Sequence, residues 1–369
     1  MQRIGIAGIG NISGVYLDNL SDIFGKRVKL SAVTDLFADR AKKAAADYGL
    51  RACASVDEMV NSADVDIIVN LTQPQYHYGV ALAALNAGKH VYNEKPLCVK
   101  REEAARLVQA AAAKKLRLGG APDTFMGPGL QTCRKIIDDG WIGRPVAANA
   151  CMLCHGPEHW HPAPEFYYKA GGGPMFDMGP YYLSALVYLL GPVSRICGSA
   201  QKGQGERLIS SEPLNGTKIA VEVATHVAGV LDFACGAVGV IITSFDVWSS
   251  SAPCIEIYGT EGTLQVPEPN YFRGEVRLRR FRDENWSLIP LMLNEPDNPA
   301  DRDKQQRLNA LRGIGVVDMA EAIEQGRPHR ASAEMAYHVL DIMHGIHDAS
   351  ASGAYYHVQS ACERPEPLY

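Results

Sequence analysis

Residues 3–14 have the sequence RIGIAGIGNISG, an apolar run followed directly by a glycine-rich segment. A short apolar run of this kind is typical of a buried parallel strand. Gly8 permits a tight turn after that strand, and Gly10 lets main-chain amides approach a pyrophosphate where the next helix begins. Ser13, a small residue, stands where a third glycine is usual. The stretch therefore predicts the strand, turn and helix that open a dinucleotide-binding βαβ unit.

Asp35 comes directly after a second predicted strand, residues 28–34. A carboxylate at this position accepts hydrogen bonds from the adenosine ribose hydroxyls of a dinucleotide and repels a 2′-phosphate. The sequence therefore favours NAD over NADP, although Arg40 follows in the next helix and could soften that preference. The alternative is a plain glycine turn, with Asp35 capping the helix that begins near residue 37. The predicted cofactor contacts within the loop are Gly8, Gly10, Asn11 and Ile12.

Strand and helix patterns alternate strictly over the first third of the chain. Further strands are predicted over residues 65–71, 89–92 and 116–119, and helices over residues 12–24, 37–48, 77–87 and 100–115. This alternation is typical of a doubly wound parallel sheet. We therefore predict an α/β Rossmann domain over residues 1–122.

After residue 122 the pattern changes to strands that follow one another in series. Helices are predicted over residues 126–139, 174–190, 316–325 and 333–350, and strands over residues 146–153, 224–233, 238–245, 254–258 and 263–266. Residues 267–312 are polar and rich in proline, and we interpret them as a long excursion. Glycine-containing turns between the strands indicate a large open, mostly antiparallel sheet. Residues 123–369 are therefore predicted to form a second, α+β domain.

The composition excludes several classes of protein. A net charge of -5 and the lack of a basic stripe predict no nucleic-acid partner. No apolar stretch approaches the ~18 residues that a membrane helix needs, and the first residues lack the pattern of a signal peptide. The nine cysteines are scattered and odd in number, which suits reduced thiols better than a disulfide framework. We therefore expect a cytoplasmic protein.

Two further motifs carry a family resemblance. Residues 87–97 have the sequence AGKHVYNEKPL, and residues 171–181 have the sequence GGGPMFDMGPY. Together with the glycine loop and Asp35, they resemble the Gfo/Idh/MocA oxidoreductases over nearly the whole chain. The resemblance implies a Rossmann domain followed by a substrate-binding and oligomerisation domain with a large open sheet. It also implies hydride transfer between NAD(P) and a carbinol carbon of a sugar or cyclitol, by a homodimer or homotetramer.

The resemblance assigns catalytic roles to three residues. Lys95 belongs to the EKP motif, whose lysine lies near the nicotinamide and either transfers a proton or polarises a carbonyl oxygen. Asp177 and Tyr181 are four residues apart, so on one helix they would share a face. The family usually has histidine at the second position. Tyr181 therefore either forms a proton relay with Lys95 or only binds substrate, with Lys95 or a nearby histidine as the base; the adjacent Tyr182 competes for the same role.

Other candidate contacts follow from their place along the chain. Residues after the strand at 65–71 and in the EKP motif should approach the cofactor: Thr72, Gln73, His77 and Glu94. Residues 154–169, CHGPEHWHPAPEFYYK, are rich in groups that bind sugars: Trp160 for stacking, and Glu158, His159 and His161 for hydrogen bonds. Asp123 either contacts substrate or caps a helix together with Thr124. A metal site built on Cys151, Cys154 and the neighbouring histidines is disfavoured, because no second pair has zinc-like spacing.

Three functions remain open at this point. The first is an NAD-dependent sugar, glycoside or cyclitol dehydrogenase. The second is an NAD-dependent glycosidase that oxidises its substrate transiently, eliminates the leaving group and reduces the product again. The third, disfavoured by the intact Lys95 and Asp177, is a cofactor-binding regulator without enzymatic activity.

Overall fold

A computed structural model describes residues 1–292 and 310–369 of the chain. These residues form two compact units, Met1–Gly127 with residues 310–340, and residues 128–292 with Asp341–Tyr369. The division predicted at residue 122 differs from this grouping, because residues 310–340 belong to the first unit. No helix in the described ranges is long and apolar enough to cross a membrane.

The first unit is built on a six-stranded parallel sheet. Its strands are β1 (Arg3–Ala7), β2 (Lys29–Thr34), β3 (Arg51–Ala52), β4 (Ile67–Asn70), β5 (His90–Asn93) and β6 (Leu118–Gly120). Their order is β3-β2-β1-β4-β5-β6, and every neighbouring pair is parallel. The order reverses between β1 and β4, which is where a doubly wound sheet binds its ligand. The predicted Rossmann sheet is confirmed.

Helices connect these strands at nearly the predicted positions. They are α1 (Ser13–Asp18), α2 (Ala38–Tyr48), α3 (Val56–Val60), α4 (Pro74–Asn86) and α5 (Arg101–Lys114). The helix predicted over residues 12–24 is α1 continued by a π-helical segment, Asn19–Ile23. Apolar residues fill the centre of the sheet, where Ile4, Ile6 and Val69 are completely buried.

The second unit contains a nine-stranded mixed sheet. After α6 (Pro128–Asp138) and β7 (Pro145–Leu153) come two helices, α7 (Pro174–Asp177) and α8 (Gly179–Leu190). The remaining strands are β8 (Val193–Gln201), β9 (Glu206–Leu208), β10 (Lys218–Ala220), β11 (His226–Phe233), β12 (Val238–Ser244), β13 (Ile255–Gly259), β14 (Gly262–Val266), β15 (Val276–Arg280), β16 (Ser287–Ile289) and β17 (Tyr356–His357).

The strand order of this sheet is β16-β15-β14-β13-β7-β12-β11-β8-β17, with β9 and β10 paired separately. Only the β7–β12 pair is parallel among these neighbours, which confirms the predicted open, mostly antiparallel sheet. The excursion predicted over residues 267–312 contains β15 and β16, and its residues 293–309 lie outside the described ranges. The last two helices are α9 (Ile314–Gln325), in the first unit, and α10 (Ala333–Ser352), whose residues are divided between the units.

The prediction of a single helix over residues 174–190 is wrong, because the helix is interrupted at Met178, between α7 and α8. Pro180 has no N–H to donate to the carbonyl four residues earlier, so α7 cannot continue through it. Proline is well suited to the first turn of a new helix, which is where Pro180 lies in α8. Asp177 and Tyr181 therefore belong to two different helices, α7 and α8.

Candidate active site

The glycine-rich loop leaves β1 in a conformation that only glycine adopts easily. Gly8 has φ +98°, and a Cβ there would lie 2.7 Å from the main chain of Leu71 and Thr72. A Cβ on Gly10, in contrast, would meet no atom within 4 Å, so there is room beside the loop for a bound group. Ser13 fills the third-glycine position and donates from Oγ to the Gly10 carbonyl at 2.7 Å.

Asp35 holds the loop and the start of α2 together. Its Oδ2 accepts a hydrogen bond from the Ile9 main-chain N at 2.7 Å, and its Oδ1 accepts one from Phe37 N at 2.8 Å. Because Phe37 precedes α2 and no side chain caps the N-terminus of that helix, the carboxylate forms a local turn before α2 instead of the helix cap of the alternative interpretation, and it also lies against the loop. Arg40 is exposed, with its guanidinium 4.6 Å from the centre of the Phe37 ring. Open space at Gly10, the loop amides and a carboxylate after β2 fit a dinucleotide.

Polar side chains join the ends of β4 and β5 just before Lys95. Thr72 donates from Oγ1 to Asn70 Oδ1 at 2.6 Å, and Asn70 donates from Nδ2 to Asn93 Oδ1 at 3.0 Å. Asn93 in turn donates to the Leu97 carbonyl at 3.0 Å. Lys95 itself is half-buried, and Gln73 is exposed. The two strand ends and the EKP segment thus form one hydrogen-bonded edge.

The predicted contact of His77 with the cofactor is corrected, because both ring nitrogens of His77 face main-chain carbonyls of the protein itself. It is completely buried, with Nδ1 2.7 Å from the Pro96 carbonyl oxygen and Nε2 2.9 Å from the Thr72 carbonyl oxygen. Burial lowers the pKa of the imidazole, while the two carbonyls oppose that shift. Because both ring nitrogens face the main chain, His77 holds the segments beside Lys95 instead of binding a ligand.

Glu94 is likewise committed to the protein. Its carboxylate is buried and accepts from the Tyr16 hydroxyl at 2.9 Å and from the Lys95 main-chain N at 2.8 Å. Burial, followed by the Glu94 charge, raises the pKa of Tyr16 well above its ordinary value. The predicted cofactor contact of Glu94 is corrected accordingly. Tyr16 was missed, although its place three residues after Ser13 on the buried face of α1 was a usable signal.

Asp123 is a cap, but of a different helix from the one predicted. It is completely buried, and its Oδ2 accepts from Gly313 N and Gly315 N at 3.0 Å each, where α9 begins. No donor in the described ranges reaches its Oδ1. Burial raises the pKa of Asp123 to about 6, against the opposing effect of these main-chain donors. The predicted substrate contact is corrected, because a completely buried carboxylate does not face a ligand.

In the second unit, a buried ionic network anchors segment 154–169, which was predicted to bind sugars. Glu158 accepts from Arg207 Nη1 at 2.9 Å and from the Tyr168 hydroxyl, and only 6% of Glu158 is exposed. Arg207 also pairs with Asp246 and donates to the Phe245 carbonyl at 2.8 Å. Glu158 is therefore structural, and its predicted role as a sugar ligand is corrected.

The aromatic part of the same segment remains accessible. Trp160 is 59% exposed and packs edge-on against His161, with ring centres 5.4 Å apart. His159 is exposed, and His161 Nδ1 accepts from Ala163 N at 3.0 Å. A neutral His161 therefore carries its proton on Nε2. Trp160 and His159 are therefore accessible at the surface, and His161 is half-buried next to Trp160.

Of the two adjacent tyrosines, Tyr182 is hydrogen-bonded to another side chain of the protein, Glu268. Its hydroxyl donates to Glu268 Oε2 at 2.6 Å, and burial and the Glu268 charge raise its pKa. Tyr181 is 5% exposed, and Asp177 is half-buried. The Asp177 charge lies close enough to Cys154 to add to the burial that raises the pKa of that thiol. Asp177 thus belongs to the same region as segment 154–169.

The described ranges contain no group of three or more histidine, cysteine, aspartate or glutamate side chains that could hold a metal ion. Cys151 and Cys154 are both half-buried, and burial raises the pKa of each thiol.

The parallel sheet, the glycine loop and Asp35 together define a dinucleotide-binding unit, and the chain continues into a second, α+β unit. Family comparisons agree: residues 2–120 match "Oxidoreductase family, NAD-binding Rossmann fold", and residues 130–265 match "GFO/IDH/MocA C-terminal domain". The chain belongs to the Gfo/Idh/MocA family of NAD-binding oxidoreductases, as the sequence motifs predicted.

Individual relatives are moderately similar. The chain is 29% identical over 280 residues to inositol 2-dehydrogenase 3 of Saccharopolyspora erythraea, covering 72% of this chain and 73% of the relative. It is 27% identical over 269 residues to 1,5-anhydro-D-fructose reductase of Ensifer adhaerens, covering 72% and 75%. An NAD binding oxidoreductase from Klebsiella pneumoniae has TM-score 0.81 at 25% identity, covering 97% of this chain and 99% of that chain. Levoglucosan dehydrogenase with NADH has the same fold, with TM-score 0.81 at 20% identity and coverage of 97% and 99%.

Proposed function

We propose that the protein transfers hydride between NAD and a carbinol carbon of a sugar, glycoside or cyclitol. The observation that carries the proposal is the position of Lys95, which follows β5 at the sheet edge where the glycine loop follows β1. Because a dinucleotide binds at the carboxyl ends of the strands in such a sheet, this position supports a role for the Lys95 side chain beside the cofactor. Two relatives, named for inositol and for anhydrofructose, act on polyhydroxylated rings and support that substrate class.

The cofactor would be held by residues of the first unit. The main-chain amides of Gly8 and Ile9 already donate to the Thr34 carbonyl and to Asp35, so those of Gly10, Asn11 and Ile12 would bind the pyrophosphate, with Asp35 on the adenosine ribose. Thr72 and Gln73 would lie beside the nicotinamide ribose, and Arg40 near the adenosine. When bound, NAD supplies the nicotinamide ring that accepts or gives the hydride.

Proton transfer falls to residues of this chain. In the oxidation direction, the hydroxyl proton of the substrate passes to Lys95 Nζ as a neutral amine or to Tyr181 Oη as a phenolate, and in the reduction direction the resulting ammonium or phenol returns it. Asp177 accepts a hydrogen bond from a substrate hydroxyl and so orients the reacting carbon. Trp160 offers an apolar face to the sugar ring, and His159 and His161 offer hydrogen bonds.

Two coarser features complete the proposal. All nine cysteines lie in the described ranges and no disulfide joins them, which supports a reducing, cytoplasmic location. We also propose a homodimer or homotetramer in which residues 123–369 supply substrate binding and oligomerisation. This part of the proposal is based on the family resemblance.

The test is to compare Lys95→Ala with Lys100→Ala while screening sugars, glycosides and cyclitols for NADH formation. Lys95→Ala should lower the single-turnover rate by roughly 10²–10⁴-fold with NAD affinity nearly unchanged. Lys100, whose side chain is 70% exposed, serves as the matched control and should change neither. Normal turnover by Lys95→Ala would refute the proton-transfer role. Steady hydrolysis of a glycoside with no net NADH would identify the glycosidase reaction instead.

A further inference from the structure

Glu94 connects the helix after the glycine loop with the main chain of Lys95. One carboxylate oxygen accepts from the Tyr16 hydroxyl on α1 at 2.9 Å, and the other accepts from Lys95 N at 2.8 Å. Tyr16 is completely buried and Glu94 is 7% exposed, so water does not substitute easily for either partner. A displacement of α1 must therefore either move Glu94 or break one of these bonds.

The other end of α1 is tied to the loop. Ser13 begins α1, and its main-chain N and Oγ lie 3.2 and 2.7 Å from the Gly10 carbonyl oxygen. Tyr16 lies three residues later, about one helical turn from Ser13. Hydrogen bonds and one rigid helical turn thus lead without interruption from Gly10 to the amide of Lys95.

The surroundings limit how this connection can relax. Beyond Tyr16, Asn19 donates from Nδ2 to the Arg312 carbonyl at 2.9 Å, which fixes the far end of the helical segment. On the other side of Lys95, His77 holds the Pro96 carbonyl at 2.7 Å. The main chain of Lys95 is therefore held between a fixed histidine and a carboxylate whose position depends on α1.

We propose that Tyr16 is a positioning residue that couples cofactor binding at the glycine loop to the placement of Lys95, through the shared carboxylate of Glu94. Ordering of the loop by a dinucleotide fixes α1, and the Tyr16–Glu94 bond passes that order to the Lys95 amide. The catalytic value of this coupling rests on the proposed function of Lys95, whereas the coupling itself does not.

Hydrogen exchange at the Lys95 amide measures the coupling without using turnover. In the unmodified protein, saturating NAD should slow exchange of this amide by about fivefold, the order of change that one net hydrogen bond represents. In Tyr16→Phe, which keeps the ring and loses only the hydroxyl, NAD should still bind with similar affinity but give less than about a twofold effect. Glu94→Gln keeps an acceptor for Lys95 N and a partner for the Tyr16 hydroxyl, so it should retain the NAD effect.

Tyr48→Phe is the matched control, because it too removes a tyrosine hydroxyl that donates to a carboxylate. The acceptor of the Tyr48 hydroxyl is Asp18 Oδ1 on α1, at 2.6 Å. That bond does not lead to Lys95, so its loss should leave the NAD effect intact. The proposal is overturned if Tyr16→Phe keeps the full NAD effect, or if Glu94→Gln abolishes it. If Tyr16→Phe speeds exchange of the Lys95 amide by the same factor with and without NAD, relative to the unmodified protein, the role of Tyr16 is merely structural. That result also overturns the proposal. If the exchange results hold but Lys95→Ala turns over normally, the coupling stands and the proposed function fails.

Discussion

Replacing Asp123 with asparagine should remove a pH-dependent loss of stability from the first unit. Asp123 is completely buried, and among the described residues only its Oδ2 finds donors, the two amides at the start of α9. Asparagine can offer one oxygen to the same two amides, but it cannot ionise. The variant therefore keeps the cap and loses the buried charge.

The magnitude follows from the pKa of Asp123, which burial raises from an ordinary value of 3.8 to about 6. Between these values the folded protein holds a proton that the unfolded chain has lost, so stability falls as pH rises. A difference of about two pH units, at about 1.36 kcal/mol each, amounts to ~3 kcal/mol. This stability is fully present below pH ~4 and is lost as pH rises through about 6.

The assay is the unfolding free energy from urea titrations between pH ~4 and ~7.5, compared between Asp123→Asn and the unmodified protein. Any constant cost of the amide cancels, because the prediction concerns the slope with pH. Asp66→Asn is a control of opposite sign, since a hydrogen bond from Arg3 lowers the pKa of Asp66 and its contribution is lost only as pH falls. Parallel pH profiles for Asp123→Asn and the unmodified protein would refute the reasoning.

Two further predictions concern the cofactor and the acid/base group. Asp35→Ala removes the acceptor for two main-chain amides, so it should weaken NAD binding by roughly 10–100-fold and reduce the protein's preference for NAD over NADP. Fluorescence titration with both cofactors measures the two affinities, and tighter binding of NADP by the unmodified protein would contradict the prediction. Tyr181→Phe should slow hydride transfer by roughly 10²–10⁴-fold with little change in substrate affinity. Tyr182→Phe should leave the rate of hydride transfer nearly unchanged, because the Tyr182 hydroxyl donates to Glu268. Single-turnover kinetics of both variants measure these rates. Near-normal turnover by Tyr181→Phe would move the acid/base role to Lys95 or a histidine.

Local patterns were sufficient for the architecture and the class. The strand before Gly8, the turn at Gly8 and the carboxylate of Asp35 depend on residues close together in the chain, and the structure has them where they were expected. The break before α8 was also a local signal, since Gly179 and Pro180 interrupt a helix whatever surrounds them. Side-chain periodicity and turn chemistry act over a few residues, which is why a single sequence reveals them.

The partners of the buried polar groups are different, because they depend on how distant segments pack. Glu94 meets Tyr16 across 78 positions of sequence, and Asp123 accepts from the main-chain N of Gly313, 190 positions later, where α9 begins. Glu158 finds Arg207 across 49 positions, so a residue expected to bind sugar becomes part of a buried network. A carboxylate is chemically suited to a ligand, a helix cap or an ion pair alike. Which of these it serves depends on the donors that the folded chain brings to it, since most buried polar groups are paired where they lie.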